Sequence, residues 1–267
     1  MKDNGHAAGV LSWCTFAEWL RRPILERQVL SQVSHVKVPG GAVSSYFLAL
    51  APVDKLLLAL VTMVSPHLER HWTHVLADSC RLALLRKYSG IYLDTDIISM
   101  KSLLFANFTC FGEGGFFNNG ALGFHVIHHD FLLDCMKDFV ANYIEHIWGH
   151  QGRKLITCVL KRWCKSNNPT NFIGKECNGI SLWLRRWFYP ISYSSWERYY
   201  VPWKNKDIES IFSGRYGAHV WNYVNSSKER KIIAGEGSLM EYLFQMYCPI
   251  TYRSVIQSKN HSELLKA

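Results

Sequence analysis

The sequence predicts an α/β domain built around a mixed sheet, and three observations carry that expectation. Breaker-free stretches with helical periodicity alternate with short apolar runs of strand length. The 267 residues are 48% hydrophobic and only 19% charged, so most of the chain has enough apolar surface to fold. No internal repeat, heptad pattern or low-complexity tract points to a fibrous or solenoid class.

The elements follow in chain order. Residues 1–65 form a lead-in without a clear period, with a short helix expected over Trp13–Arg22 and a turn at Pro39-Gly40-Gly41. Trp72 to Tyr88 reads as a helix with Trp72, Val75, Leu76, Cys80, Leu84 and Lys87 near one side, stopped by Ser89-Gly90. Ile91-Tyr92-Leu93 is a short strand ending in Asp94-Thr95-Asp96, and Ile97-Ile98 resumes the apolar run. Gly112 to Gly123 is a Gly/Asn-rich stretch. Helices are expected over Phe131–Tyr143 and Gly152–Lys165, and a loop over 166–180. Trp183 to Trp203 is an aromatic belt broken by Pro190 and Pro202. The last helix starts at Ser238 with a capping box, Ser238-x-x-Glu241, and ends near Tyr247 before Pro249.

Thirty basic residues against 21 acidic ones give a net charge of +9, which suits anionic ligands such as nucleic acid, phospholipid headgroups or nucleotide diphosphates. The best membrane candidate, Ala42 to Val64, is interrupted by Pro52, Asp54 and Lys55, leaving nine unbroken apolar residues where a span of roughly 30 Å needs about 20. No secretory leader pattern opens the chain. The sequons Asn107-Phe108-Thr109 and Asn225-Ser226-Ser227 nevertheless lean towards the secretory route and a glycoprotein. Eight cysteines show no C-x2-C pair, against structural zinc. Cys164 and Cys177 flank a loop and are expected to bridge in a luminal chain; reduced, buried cysteines are the other reading.

Asp94-Thr95-Asp96 is the strongest local feature. Two carboxylates at the end of a buried strand need a counter-charge, and magnesium or manganese, which also neutralise a diphosphate, fit oxygen ligands. Ligands collect at the carboxyl ends of strands in α/β sheets. Two exposed turn aspartates remain the alternative. Asp78 and Arg81, three apart on the preceding helix, share a face, as an ordinary surface pair also would. His67, His71 and His74 are spaced for one helix face, but the register is not H-E-x-x-H, and an exposed, partly solvated face is expected.

The string Asp78-x-x-Arg81-x-x-x-Leu85-x-x-x-x-Gly90-x-Tyr92-x-Asp94-x-Asp96 resembles the sugar-nucleotide transferases whose D-x-D motif binds a metal. Downstream stand Asn119-Gly120-Ala121, Ile147-Trp148-Gly149-His150-Gln151-Gly152, Leu155-Ile156-Thr157, Phe188-Tyr189-Pro190-Ile191, His219-Val220-Trp221-Asn222 and Tyr247-Cys248-Pro249. Their order resembles the alpha-1,4-glycosyltransferase family, over roughly Pro66 to Val255, and the run around Tyr193, Trp196 and Arg198-Tyr199-Tyr200 looks most like its N-acetylglucosaminyl-transferring branch.

The resemblance implies a GT-A-like fold whose N-terminal part is truncated here, a catalytic domain over residues 66–255, and a tail over 256–267. It implies a retaining, manganese- or magnesium-dependent transferase moving N-acetylglucosamine from UDP-GlcNAc in alpha-1,4 linkage to a terminal galactose. A galactosyl-transferring activity on a lactosylceramide-type glycolipid, or an inactive glycan-binding relative, are the alternatives. Partners would be the UDP-sugar donor and a galactose-terminated glycan or glycolipid, with no nucleic acid. The place would be the Golgi lumen, with type II membrane attachment as in the family only if an upstream anchor exists. Asp94, Asp96 and His219 would hold the metal. Asp78, Arg81, Tyr92, Asp94, Asn119, Gly120 and Gly152 would contact the donor, and Gln151 or Asn119 would sit beneath the anomeric carbon. The family's Pro after Gly152 is Arg153 here.

Overall fold

The computed structural model describes residues 70–103, 107–125, 128–228 and 230–257. The expected lead-in over 1–65, His67, and all but two residues of the 256–267 tail lie outside them. The described residues fall into two compact units: the first takes in 70–92, 107–125 and 128–184, the second 93–103, 185–228 and 230–257.

The first unit is an α/β layer. Helix α1 spans Trp72–Tyr88, as its breaker-free sequence predicts, and ends where Ser89 adopts a φ of 55° and its N–H reaches Leu85 O. Strand β1 (Gly90–Leu93) joins a five-stranded sheet with β3 (Phe108–Phe111), β4 (Phe117–Phe124), β5 (Glu176–Cys177) and β6 (Ile180–Trp183), in the order β1-β4-β3-β6-β5. β3 runs antiparallel to β4 and parallel to β6, so the sheet is mixed. Helices α2 (His129–Ala141) and α3 (Leu155–Trp163) cover it, burying Phe131, Leu132, Met136, Val159 and Leu160 against Phe117, Leu122 and Phe124.

β4 is the main departure from the sequence reading. Its FNNGALGF run has low strand propensity. Pairing on both sides and the burial of Phe117, Ala121, Leu122 and Phe124 override that propensity. The stretch expected as a loop over 166–180 also carries β5. It is closed by a Cys164–Cys177 disulfide with Cα atoms 5.7 Å apart. The three N-terminal residues expected in α3, with His150 and Gln151, instead form a π-turn, His150–Lys154.

The second unit pairs β2 (Ile97–Ser99) antiparallel with β7 (Gly217–His219), with Ile97 opposite His219. A 3-10 segment (Tyr193–Tyr200) and helices α4 (Asn205–Phe212), α5 (Asn222–Ser226) and α6 (Leu239–Tyr247) enclose a core of Ile98, Tyr199, Phe212, Leu239 and Leu243. The belt tryptophan Trp196 is buried here, and in the first unit Trp183 stacks on Phe108 at 3.9 Å.

The box at α6 forms differently from its reciprocal pattern. Ser238 Oγ accepts from Glu241 N–H at 3.2 Å. The buried Glu241 carboxylate instead accepts from Gly235 N–H at 2.6 Å, Gly237 N–H at 2.7 Å and the Tyr252 hydroxyl at 2.7 Å. Burial by itself raises this carboxyl's pKa, but the donors outweigh it and hold the group below its usual 4.5. A folded-state pKa below the unfolded one adds stability that is complete above 4.5 and is lost as pH falls through the lower folded value. Glu241→Gln points an amide NH2 at backbone N–H groups and is expected to cost about 2 kcal/mol at pH 7. Thermal melts from pH 7 to 3 check this: the variant loses that part of the acid sensitivity, and equal melting temperatures at pH 7 refute the assignment.

Both sequons are structurally engaged. Asn107 Oδ1 accepts from His125 N–H at 2.7 Å, and the buried Thr109 hydroxyl donates to Asn118 O at 3.0 Å. Buried Asn225 donates to Arg230 O and accepts from Arg230 N–H, each at 3.0 Å, so a glycan there displaces this clamp. Among the described residues no helix is long and apolar enough to cross a membrane.

Candidate metal and sugar-nucleotide site

The chain leaves β1 at Leu93 and turns through Asp94-Thr95-Asp96, where Ile97 N–H reaches Asp94 O at 3.0 Å. The turn lets two carboxylates, which a straight strand would also place on one face but about 7 Å apart, converge. β2 then pairs with β7, and that register delivers His219 to the same place. His219 Nε2 lies 3.2 Å from Asp96 Oδ1 and 3.9 Å from Asp94 Oδ2. One ligand atom from each of the three falls within 4.8 Å of the others, the one such cluster of three or more acidic, His or Cys groups among the described residues. The alternative of two solvated turn aspartates pointing apart does not describe this geometry.

The surroundings hold the cluster in place. Asp96 Oδ2 accepts from Asn222 N–H at 3.0 Å, and Asp96 O accepts from Val220 N–H at 2.9 Å. The buried Tyr199 hydroxyl donates to His219 O at 3.0 Å. Burial first, and the Asp96 charge second, push the Tyr199 pKa far up, so it remains a neutral donor. Trp221 sits in the left-handed region at φ 57°, packs at a tilt with its ring centroid 4.1 Å from that of His219 and anchors its indole N–H on Ile191 O at 3.0 Å. These supports were not singled out from the sequence; Trp221 and Asn222 stand two and three residues after His219 in a run that carried the resemblance, which was the available signal.

Two carboxylate oxygens and an imidazole nitrogen fit a hard-to-borderline divalent cation. Trp221 N–H approaches His219 Nδ1 at 3.3 Å, so the neutral ring carries its proton on Nε2. Ligation through Nε2 needs that lone pair, and the long Trp221 contact is the one that must yield.

A second set of groups lies in the first unit. Asn119 Nδ2 donates to Asp78 Oδ1 at 2.7 Å. Arg81 donates to Asn119 O at 2.8 Å, pairs with Asp78 at 3.2 Å and lies 4.7 Å over the Tyr92 ring. The side chains of Arg81 and Asp78 are only 7% and 13% exposed, so this is no ordinary surface helix pair. Gly152, in the π-turn, packs so closely that a Cβ there would meet Asn119 Nδ2 at 2.7 Å and Asp78 Oδ2 at 2.8 Å. Gly120 is buried within β4.

Gln151 requires a correction. It is 3% exposed, its Nε2 donates to Phe139 O at 2.8 Å and its Oε1 bonds His150 Nδ1. With both ends of the amide engaged, Gln151 braces the π-turn against α2 rather than serving an anomeric carbon. The histidine face is corrected too: His71 and His74 are half-buried and pack edge-on to Trp148 at 5.2 and 4.1 Å.

Comparison with known proteins gives the site its context. A model described as "Glycosyltransferase sugar-binding region containing DXD motif" matches residues 52–111, and one described as "Alpha 1,4-glycosyltransferase conserved region" matches 125–255. The lactosylceramide 4-alpha-galactosyltransferase of Pongo pygmaeus is 33% identical over 194 residues, 73% of this chain and 87% of that relative. The chain belongs to the alpha-1,4-glycosyltransferase family.

Among other members, the Homo sapiens alpha-1,4-N-acetylglucosaminyltransferase is 39% identical over 78% of this chain. The Mus musculus lactosylceramide 4-alpha-galactosyltransferase is 37% identical over 68%. The chain spans 60% of the former's length and 49% of the latter's. No solved structure matches. The mixed α/β architecture is consistent with the family's GT-A-like fold, and a D-x-D motif in this family implies a divalent cation.

Proposed function

We propose that this alpha-1,4-glycosyltransferase family member is a retaining enzyme that moves N-acetylglucosamine from UDP-GlcNAc to a terminal galactose. The observation that carries this reading is the convergence of Asp94, Asp96 and His219. The greater identity to the N-acetylglucosaminyl relative supports the donor sugar. In this reading residues 66–255 form the catalytic region, with 1–65 a lead-in and 256–267 a tail.

Asp94, Asp96 and His219 would hold manganese, or magnesium in its place. The bound cation would supply charge stabilisation to the departing diphosphate. Asn222 N–H keeps one Asp96 oxygen fixed, so its other oxygen stays aimed at the site. Tyr199 and Trp221 keep His219 in register. Asp78, Arg81 and Asn119 form a rigid polar set suited to sugar hydroxyls, with Tyr92 beside it and Gly152 allowing Asn119 and Asp78 to pack against the π-turn. Asp94 would share the metal and the ribose side of the donor. The acceptor would be a galactose-terminated glycan, in the Golgi lumen, with no nucleic-acid partner and with type II membrane attachment only if an upstream anchor exists.

A galactosyl activity on lactosylceramide is the second reading, favoured by the 33% to 37% identity to relatives of that name. The test is UDP release with manganese across a panel of UDP-sugars, with and without galactose-terminated oligosaccharide or lactosylceramide. UDP-GlcNAc is expected to be turned over, and chelation to stop it. Turnover of UDP-galactose with lactosylceramide alone selects the second reading, and no metal-dependent turnover of any donor leaves an inactive glycan-binding relative.

A further inference from the structure

In the second unit, the end of the Tyr193–Tyr200 segment and the start of α4 enclose a groove of about 520 Å³. That volume lies within the roughly 300–1,000 Å³ of small-molecule sites. Arg198 lies 4.4 Å over the Trp203 ring, and Trp203 Nε1 donates back to the Arg198 carbonyl at 2.9 Å. The two contacts hold the Arg198 side chain and backbone against the Trp203 indole at the groove. Lys204 adds a second cation, Val201 and Ile211 add apolar wall, and Asp207 is the one carboxylate lining the groove. Among the described residues neither Arg198 nor Lys204 has an ion-pair partner.

Two cations without an ion-pair partner, one of them a guanidinium held against an indole, match a planar or tetrahedral acid carried on a partly apolar body. The groove's own backbone also connects it to the cation cluster. Arg198 turns to the groove while the next residue, Tyr199, holds His219; Ile191 O receives the Trp221 indole, and Tyr193 packs edge-on to Trp221 at 5.6 Å. A ligand in the groove is therefore held by the segment that braces the wall of the cation site.

We propose that this groove binds an acidic saccharide, its carboxylate or sulfate held by Arg198 and Lys204 and its sugar body resting on Val201 and Ile211. The proposal deepens the reading as a glycosyltransferase, because it makes acidic glycans the preferred acceptors.

The test is direct binding to the full chain, without donor or metal, of lactose, 3′-sialyllactose and 3′-sulfolactose. At low salt an acidic sugar is expected to bind at least about tenfold more tightly than lactose, with the advantage shrinking as salt rises. Preference for the sialylated probe assigns a carboxylate, and preference for the sulfated probe a sulfate. Arg198→Ala is expected to remove about tenfold of that preference, and exposed Lys204→Ala, which removes no packing partner of Trp203, to remove part of it. Equal binding of lactose and both acidic sugars, or an undiminished preference in Lys204→Ala, overturns the proposal. Because no donor is present, a chain inert towards every UDP-sugar passes or fails this test independently.

Discussion

Asp96→Asn is expected to lower metal-dependent UDP-sugar turnover by roughly a thousandfold while leaving the melting temperature nearly unchanged. The asymmetry follows from what each Asp96 oxygen does. Oδ2 accepts a backbone hydrogen bond from Asn222, and an amide oxygen can take over that role. Oδ1 faces His219 Nε2 at 3.2 Å within the three-residue cluster, where the negative charge itself is what a cation needs. Removing one charged ligand forfeits several kcal/mol of the charge stabilisation a cation offers a leaving diphosphate. The paired measurements are UDP release against manganese concentration and a thermal melt. Full turnover in the variant would remove the metal assignment, and with it the proposed reaction.

Gly152→Ala is expected to cost activity by another route. The added methyl would lie 2.7 Å from Asn119 Nδ2 and 2.8 Å from Asp78 Oδ2. Neither neighbour can give cheaply, because they bond each other at 2.7 Å and Arg81 ties both the Asn119 backbone and the Asp78 carboxylate. Overpacking of this kind costs about 1–3 kcal/mol. The polar set proposed to meet the sugar should be displaced with it, raising the KM for the UDP-sugar by roughly a hundredfold or cutting kcat by as much. Manganese affinity should stay unchanged, since Asp94, Asp96 and His219 are untouched. A variant with wild-type melting temperature and wild-type KM and kcat would show that this close packing is incidental.

Much of the local structure was legible. The helix over Trp72–Tyr88 and its stop at Ser89-Gly90 follow from a long breaker-free stretch, and the Ser238 cap starts α6 where the sequence places it. The pairing of Asp78 with Arg81 was readable from their i, i+3 spacing, but their burial with Asn119 was not, because that depends on β4. Strand β4 itself was hidden: Asn118, Asn119, Gly120 and Gly123 read as loop residues until neighbouring strands satisfy their backbone on both sides. Gln151 was misread for a related reason. A sequence neighbour of Gly152 can face solvent or core, and only the π-turn decides that its amide points at Phe139 O.

The chain's own order of residues determined the α/β class, the family, and the acidic turn at the end of a buried strand, since each depends on local chemistry and short spacing. Tertiary structure alone decided that His219 joins Asp94 and Asp96, that Glu241 gathers Gly235, Gly237 and Tyr252, and that Arg198 lies over Trp203. The register of β2 against β7 closes a separation of more than 120 residues. Long-range closure of that kind is fixed by the packing of the whole core, which no local pattern encodes.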